Sequence, residues 1–207
     1  MRLLFVLIAL SSCHRESAPA TNVPARTLNE RVLALLDEYP AHGFGGYAWP
    51  ASAGTAGTTR DLRLGDVVFA HGAPGNHCVG ITLEVFWRAL EGCTGGAEAA
   101  LDLSAAQDLK RRWYVPQLGG RGATDALTAH RLGTEISLKD ARPGDFVQAW
   151  NADGTFGHSM IFLGADRDRI QYWSSQPWTE GIGRSESPIG PDGFDPQHIY
   201  VARAACI

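Results

Sequence analysis

One cysteine in the chain stands where its thiol would be activated for nucleophilic chemistry. Cys78 falls near the start of the apolar stretch 76–91, which has the spacing of a helix. A thiol in the first turn of a helix lies near the positive end of the dipole and near unpaired backbone N–H groups, and both stabilise a thiolate. We therefore expect a lowered pKa for Cys78. Its own N–H is also placed to hold an oxyanion.

A histidine eighty residues later is the best candidate for the base. His158 lies in the alternating stretch 157–164, which predicts a strand with His158, Met160 and Phe162 on one face. We expect this apolar face to pack on the helix, which brings the imidazole towards Cys78 for general acid and base work. The alternative interpretation is that Cys78 is a buried core residue and His158 is structural.

The helix that carries the thiol is expected to be mostly buried. Its polar side chains Glu84, Arg88 and Glu91 form one narrow stripe, and its other faces are apolar. Asn76 is suited to cap its first turn and Gly92 to end it. A helix of this kind needs an apolar partner surface.

A change of the hydrophobic period at residue 145 predicts strands that can supply this partner surface. The stretches 145–150, 157–164 and 170–175 alternate as strands, and Asn-Ala-Asp-Gly at 151–154 is a hairpin turn signal. They follow an amphipathic stretch at 28–39 and a largely helical region near 92–140. Helices followed by an antiparallel meander predict an α+β fold.

Three motifs in this order resemble the NlpC family of papain-like cell-wall peptidases, and they are similar to the CHAP amidases as well. Residues 78–82 (Cys-Val-Gly-Ile-Thr) resemble the family's helix start, and residues 141–147 (Ala-Arg-Pro-Gly-Asp-Phe-Val) its entry to the first core strand. Residues 157–164 (Gly-His-Ser-Met-Ile-Phe-Leu-Gly) resemble its histidine strand. The resemblance covers about residues 64–178.

The resemblance implies a papain-like fold in which a buried helix bearing Cys78 packs on a small antiparallel sheet. It also implies hydrolysis of an amide in peptidoglycan stem peptides through a thioester acyl-enzyme. The chain departs from the family's pattern at two places: Asn76-His77 stands where an Asp is usual, and Val79 where a Ser is usual.

The third residue of the site, which orients the base, is predicted from the strand register. If Gly164 pairs with Ile170, Gln176 lies opposite His158, whereas a register two residues tighter brings Ser174 there. We favour Gln176, because its amide can reach an imidazole and because Gln-Pro-Trp at 176–178 resembles the Asn-Ser-Trp of papain-like enzymes. The alternative is a loop glutamine after a strand.

Three further residues are candidates for substrate binding, namely Tyr47, His77 and Ser174. Core packing is the alternative for Tyr47, and a surface position is the alternative for His77. The sequence has no HExxH motif and no paired CxxC motifs, so we expect neither a metal site nor a cofactor.

The first residues predict export. Arg2 precedes a short apolar run that ends in Leu-Ser-Ser-Cys at 10–13, which resembles a bacterial lipobox. Residues 1–12 are then a signal peptide, Cys13 carries the lipid, 13–27 is a flexible tether and 28–207 is the folded domain. The alternative is a plain secretory signal cleaved nearby. The lipoprotein reading places the domain in the bacterial cell envelope, on the periplasmic side of a membrane.

Export leaves an odd number of cysteines for the folded domain. Once Cys13 is lipidated, Cys78, Cys93 and Cys206 remain in an oxidising compartment. Cys93 and Cys206 are candidates for a disulfide, which would leave Cys78 free, and the alternative is two buried thiols.

Composition excludes some partners and leaves other function classes open. The net charge is −4 and no long basic run occurs, so we expect no nucleic acid partner. A peptidoglycan peptide or another amide substrate is the expected partner. An acyl or peptide transferase with the same two residues, and a non-catalytic envelope-bound binding module on the same fold, remain as alternatives.

Overall fold

A computed structural model describes residues 26–40, 42–49, 56–115 and 118–206. The signal segment 1–12, the lipidation site Cys13 and the tether up to residue 25 lie outside the described residues. None of the helices that the structure describes is both long and apolar enough to cross a membrane.

In the described residues one helix and three short strands come first, then four helices, and then six strands. The α-helices of the described ranges are α1 Leu28–Leu36, α2 Cys78–Glu91, α3 Gly96–Ala100, α4 Leu103–Trp113 and α5 Ala123–Ala129. The strands are β1 His42–Gly45, β2 Leu62–Leu64, β3 Val67–Ala70, β4 Gly133–Ile136, β5 Phe146–Trp150, β6 Gly157–Ala165, β7 Arg169–Gln176, β8 Gly181–Pro188 and β9 Ile199–Ala204.

Seven of these strands form one antiparallel sheet in the order β1-β8-β7-β6-β5-β9-β4, and β2 pairs with β3 apart from it. The protein thus combines helices with an antiparallel sheet, as the sequence predicts. The meander β5–β6–β7 lies at the centre of the sheet, because β8 and β9 each add on one side of it.

The central strands are buried on both faces. On one face Phe146, Ile161 and Trp173 join the main core with the helices. On the other face Val147, Met160 and Tyr172 join a second, smaller cluster. A strand that is buried on both sides shows no clear polar alternation, and this bears directly on how His158 is oriented.

Helix α2 is the central element of the main core. It packs against α1 and against the strands β6 and β7, and Phe86 and Trp87 are fully buried. Burying aromatic side chains of this size contributes roughly 1.5–3 kcal/mol each. The N-terminal end of α2 is thereby fixed against the central strands of the sheet.

Candidate active site

The thiol of Cys78 lies at the first residue of α2. His77 caps this helix: its backbone is extended, and its Nδ1 accepts a hydrogen bond from the Gly80 N–H at 3.3 Å. Asn76, which the sequence suggested as the cap, instead donates from its side chain to the Phe44 carbonyl at 3.1 Å. The cap is thus one residue later than expected, and it holds the helix start at Cys78.

Burial dominates the electrostatics of this thiol. It raises the pKa of Cys78, while the backbone N–H groups of Ser159, Val79 and Cys78 itself act in the opposite direction. The expectation of a lowered pKa is therefore corrected, because only 7% of Cys78 is exposed and desolvation outweighs the helix start. A raised pKa favours the neutral thiol over the thiolate at neutral pH.

Ser159 makes a polar contact between β6 and α2. The Thr82 hydroxyl lies 2.9 Å from the Ser159 hydroxyl, one turn along α2 from the thiol. Because neighbouring residues of a strand point to opposite faces, His158 points to the other face of the sheet. The expectation that His158, Met160 and Phe162 face the helix is therefore wrong.

The thiol lies against the backbone of β6 at Ser159, the residue that follows His158. The Phe162 N–H donates to Asp145 next to β5, so the N–H groups of odd-numbered residues in β6 point towards β7. The pairing of β6 with β7 ends at Ile161 and Trp173, which leaves the Ser159 N–H free to approach the Cys78 sulfur. The sulfur thus lies where the two strands separate, next to the residue that follows His158.

The imidazole of His158 is enclosed by aromatic rings. The ring centroids of Tyr172, Phe156 and Trp178 lie 5.3, 5.8 and 5.9 Å from it. Burial lowers the pKa of His158 to about 4, and the nearby Gln176 side chain opposes this shift. The imidazole is therefore neutral at neutral pH, which is the form that can accept a proton.

Gln176 ends β7 on the side of His158. The register of Ile161 with Trp173, continued along the strands, sets Gln176 opposite His158, although no ladder pair forms there. Both polar atoms of the Gln176 amide and Nε2 of His158 are buried without a hydrogen-bond partner among the described residues, so full hydrogen-bond geometry between the two is not reached. Buried polar atoms left in this way are rare in proteins and call for an explanation.

The three residues expected to bind substrate differ in what they expose. Tyr47 is half-buried, and burial, with a contribution from the charge of Cys78, raises its pKa to about 12. His77 is buried as the helix cap, with its ring edge-on to Trp49 and Tyr114. Ser174 is fully buried, and its hydroxyl donates to the Ser159 carbonyl at 2.6 Å. Of the three, Tyr47 alone presents an accessible side chain near the thiol.

The cysteines of the described residues form one disulfide and leave one free thiol. Cys93 and Cys206 are joined by a disulfide that ties the end of α2 to the segment after β9. Cys78 is the free cysteine of the part of the chain that the structure describes. Within that part, no group of three or more His, Cys, Asp or Glu side chains is arranged to hold a metal ion.

Sequence reasoning missed two contributors to the site. Ser159 supplies the N–H beside the sulfur, and Phe156 stacks on His158 at an interplanar angle of 23°. The signal for Ser159 was a small polar residue inside an otherwise apolar strand. Phe156 carried no signal, because a single aromatic residue at the end of a hairpin is common.

The chain matches no protein-family model and no curated protein sequence. Among solved structures it is similar to RipD from Mycobacterium tuberculosis, described as a non-catalytic NlpC/p60 domain protein with an adaptation to peptidoglycan-binding function. The two chains are 18% identical, with a TM-score of 0.39, over 86% of this chain and 98% of RipD. A likeness at that level carries no functional argument, which therefore rests on the geometry of the site.

Proposed function

We propose that this chain is a cysteine-dependent amide hydrolase with a papain-like, NlpC-type fold that cleaves peptidoglycan stem peptides. The observation that carries the proposal is the unused hydrogen-bonding capacity of the site. A free thiol meets the backbone next to His158, and among the described residues neither Nε2 of His158 nor the two polar atoms of the Gln176 amide has a hydrogen-bond partner. Such groups cost stability and are retained where chemistry needs them.

In this reaction the Cys78 sulfur bonds to the carbonyl carbon of the scissile amide, and the thiol proton passes to His158. His158 delivers the proton to the leaving nitrogen as the C–N bond breaks, which leaves a thioester. Water then attacks the thioester and gives one proton to His158. The product acid departs, and the proton on His158 returns to the sulfur.

The resting charges determine how this step begins. The pKa of Cys78 is raised and that of His158 is lowered to about 4, so the pair is a neutral thiol and a neutral imidazole. Proton transfer is then coupled to attack on the substrate, rather than preceding it. The Ser159 N–H stabilises the sulfur as it loses its proton, and the Gln176 amide stabilises the imidazolium.

A non-catalytic binding module on the same fold is the second candidate. It is favoured by the burial of both reactive groups, since Cys78 is 7% and His158 is 3% exposed. A transferase with the same two residues differs from the hydrolase only in that an amine replaces water in the second step.

The experiment that separates these functions is incubation of the full chain with purified peptidoglycan, followed by mass analysis of the soluble fragments. Cys78→Ser is the matched control. Hydrolysis predicts Cys78-dependent fragments with new carboxyl and amino ends, whereas transfer predicts new amide bonds. Co-sedimentation with peptidoglycan but no Cys78-dependent fragment would overturn the enzyme and favour the binding module.

We also propose that lipid at Cys13 anchors the domain on the periplasmic side of a bacterial membrane. The support is the Leu-Ser-Ser-Cys segment at 10–13 after a short apolar run. In a lipoprotein-processing host the wild-type chain should sediment with membranes, and Cys13→Ala should move it to the soluble fraction. A wild-type chain that is already soluble would contradict the anchor.

A further inference from the structure

The Cys78 sulfur lies at a gap between β6 and β7, which we call the β6–β7 gap. The two strands pair as far as Ile161 in β6, and the same register continued sets Ser175 of β7 opposite Ser159. Residues in these positions would exchange backbone hydrogen bonds in a complete ladder. Instead, the Ser159 N–H approaches the sulfur, and the Ser159 carbonyl accepts from the Ser174 hydroxyl at 2.6 Å. Both backbone groups of Ser159 are thus engaged by partners other than Ser175.

The side chain of Ser175 lies on the same face of the sheet as α2. Trp173, two residues earlier in β7, and Ile182, which pairs with Ser175 from β8, both belong to the main core that contains α2. Side chains two residues apart, or directly opposite across a pair, lie on one face of a sheet. The Ser175 hydroxyl therefore faces the side from which Cys78 reaches the β6–β7 gap.

This hydroxyl has unused hydrogen-bonding capacity. Ser175 is fully buried, and its Oγ has no hydrogen-bond partner among the described residues. A buried polar atom in this state is rare and calls for an explanation. The explanation that the geometry offers is a partner that forms only during the reaction.

A thiolate at this position depends on neutral donors for its stability. The titratable groups near the sulfur are three phenols and two imidazoles, namely Tyr47, Tyr114, Tyr172, His77 and His158. All five are neutral at neutral pH, and the described groups that favour the thiolate are backbone N–H donors. A hydrogen bond from a hydroxyl to a charged acceptor is roughly twice as strong as one to a neutral acceptor. An added hydroxyl donor would therefore act mainly on the charged form of the sulfur.

We propose that the Ser175 hydroxyl is a further hydrogen-bond donor to the Cys78 sulfur, which it positions in the β6–β7 gap and stabilises as the thiolate forms. The Ser159 N–H and the Ser175 O–H then act on the sulfur from the two strands that border the gap. The part that Ser175 plays in turnover rests on the proposed hydrolase. Its effect on the titration of the thiol does not.

The test is the pH profile of the reaction of the full chain with iodoacetamide, followed at Cys78 by mass analysis of its peptide. The rate follows the thiolate fraction, so the midpoint of the profile reports the titration of Cys78 and the plateau reports access to the sulfur. Ser175→Ala should raise the midpoint by about one pH unit, since it removes a hydrogen bond to a charged group. The plateau should not change. Turnover of peptidoglycan should fall about tenfold, in step with the thiolate fraction.

Two further variants separate a donor from a merely structural residue. Ser175→Thr keeps the hydroxyl and should keep the wild-type midpoint. Thr124→Val is the matched control, because the Thr124 hydroxyl is also buried without a partner among the described residues, but lies on α5. It should change neither the midpoint nor turnover. Urea unfolding should show unchanged stability for Ser175→Ala, since the hydroxyl that it removes has no partner in the resting protein.

An unchanged midpoint in Ser175→Ala, a change of the plateau alone, or an equal rise in Ser175→Thr would overturn the donor. The hydrolase would stay in place as long as the wild-type chain cleaves peptidoglycan. A midpoint raised in Ser175→Ala but not in Ser175→Thr, together with no cleavage of peptidoglycan by the wild-type chain, would retain the donor and overturn the hydrolase.

Discussion

Helix α2 carries two buried polar sites, about 9 Å apart along its axis, and they are built in opposite ways. At one site the Glu84 carboxylate is fully buried and accepts hydrogen bonds from the Tyr39 hydroxyl at 2.7 Å and the Thr59 N–H at 2.6 Å. The Arg60 side chain lies 3.5 Å away. Both oxygens of this carboxylate therefore accept a hydrogen bond.

At the other site, near Cys78, Nε2 of His158 and both polar atoms of the Gln176 amide are buried and have no hydrogen-bond partner within the part of the chain that the structure describes. A satisfied buried cluster stabilises a fold, whereas an unsatisfied one costs about 1–3 kcal/mol per group. The contacts of Glu84 indicate that its site holds α1 and the segment 56–60 in place, whereas under the proposed function the Cys78 site is kept for chemistry. The following predictions separate stability from turnover at the two sites.

Cys78→Ser should have the largest effect on turnover and almost none on stability. Replacing the nucleophile typically lowers turnover by about 10⁴-fold or more, while the nearly isosteric swap should change the unfolding free energy by less than about 1 kcal/mol. Fragment release from peptidoglycan measures turnover, and urea unfolding measures the unfolding free energy. The contrasting control is Cys93→Ser, which removes a disulfide and should cost about 2–5 kcal/mol without changing turnover per folded molecule.

Glu84→Ala should have the largest effect on stability. It leaves the donors of Tyr39 and Thr59 buried and unpaired, and removing one partner of such a network costs about 3–5 kcal/mol. Urea unfolding at neutral pH measures the loss. Glu91→Ala, at the exposed last residue of the same helix, should change the unfolding free energy by under about 0.5 kcal/mol. A loss of turnover per folded molecule in Glu84→Ala would break the division between the two sites.

Acid should destabilise the protein through the histidines around Cys78. His77 and His158 are buried and neutral, and burial lowers the pKa of each to about 4. Because unfolding lets each take up a proton near pH 6.5, their contribution is complete above that pH and is lost as the pH falls towards 4. The loss is roughly 3 kcal/mol for each histidine.

Urea unfolding at pH 7, 5.5 and 4.5 measures the slope of the unfolding free energy against pH. His77→Asn keeps a side-chain acceptor for the Gly80 N–H and should reduce the slope by about half. An unchanged slope in His77→Asn would show that His77 is not a buried neutral cap.

Gln176→Met should have the smallest effect of these substitutions. It should lower turnover without lowering the unfolding free energy. Removing an amide without partners should leave the unfolding free energy unchanged or raise it by about 1 kcal/mol. Turnover should fall about 10-fold to 100-fold, because the imidazole loses the group that orients it. If turnover is retained in Gln176→Met, another residue orients His158.

The sequence predicted the elements of the site better than their orientation. Helix α2 was expected over 76–91 and begins at Cys78, and the three central strands were expected within one or two residues of their ends. Hydrophobic periodicity and turn residues are local features of the sequence, so they indicate where each helix and strand begins and ends. The fold's combination of helices and an antiparallel sheet follows from the order of these elements.

The orientation of β6 was not predictable because both faces of the strand are buried. Met160 and Phe162 are more apolar than Ser159, yet they pack in the second cluster, and Ser159 faces the helix. The position of Ser159 depends on Thr82, seventy-seven residues earlier in the chain, and no local pattern reports such a contact. The raised pKa of Cys78 was missed for a similar reason, since burial of the helix start depends on the whole fold.

The position of Gln176 opposite His158 was predicted from the strand register, although the two residues form no ladder pair. Gly164 pairs with Gln171 rather than with Ile170, because the register shifts at a bulge between Phe162 and Gly164. Beyond the bulge the ladder has the expected register. The separation of β6 from β7 past Ile161, which lets the Cys78 sulfur reach the backbone, had no counterpart in the sequence.

Removing His158 tests most directly whether the buried imidazole is the base for Cys78. Turnover of peptidoglycan is measured for His158→Ala with and without added imidazole, with Cys78→Ser treated in the same way. A loss of about 10³-fold or more in His158→Ala, partly restored by imidazole there but not in Cys78→Ser, is the predicted result. Turnover close to wild type in a folded His158→Ala protein would contradict the account.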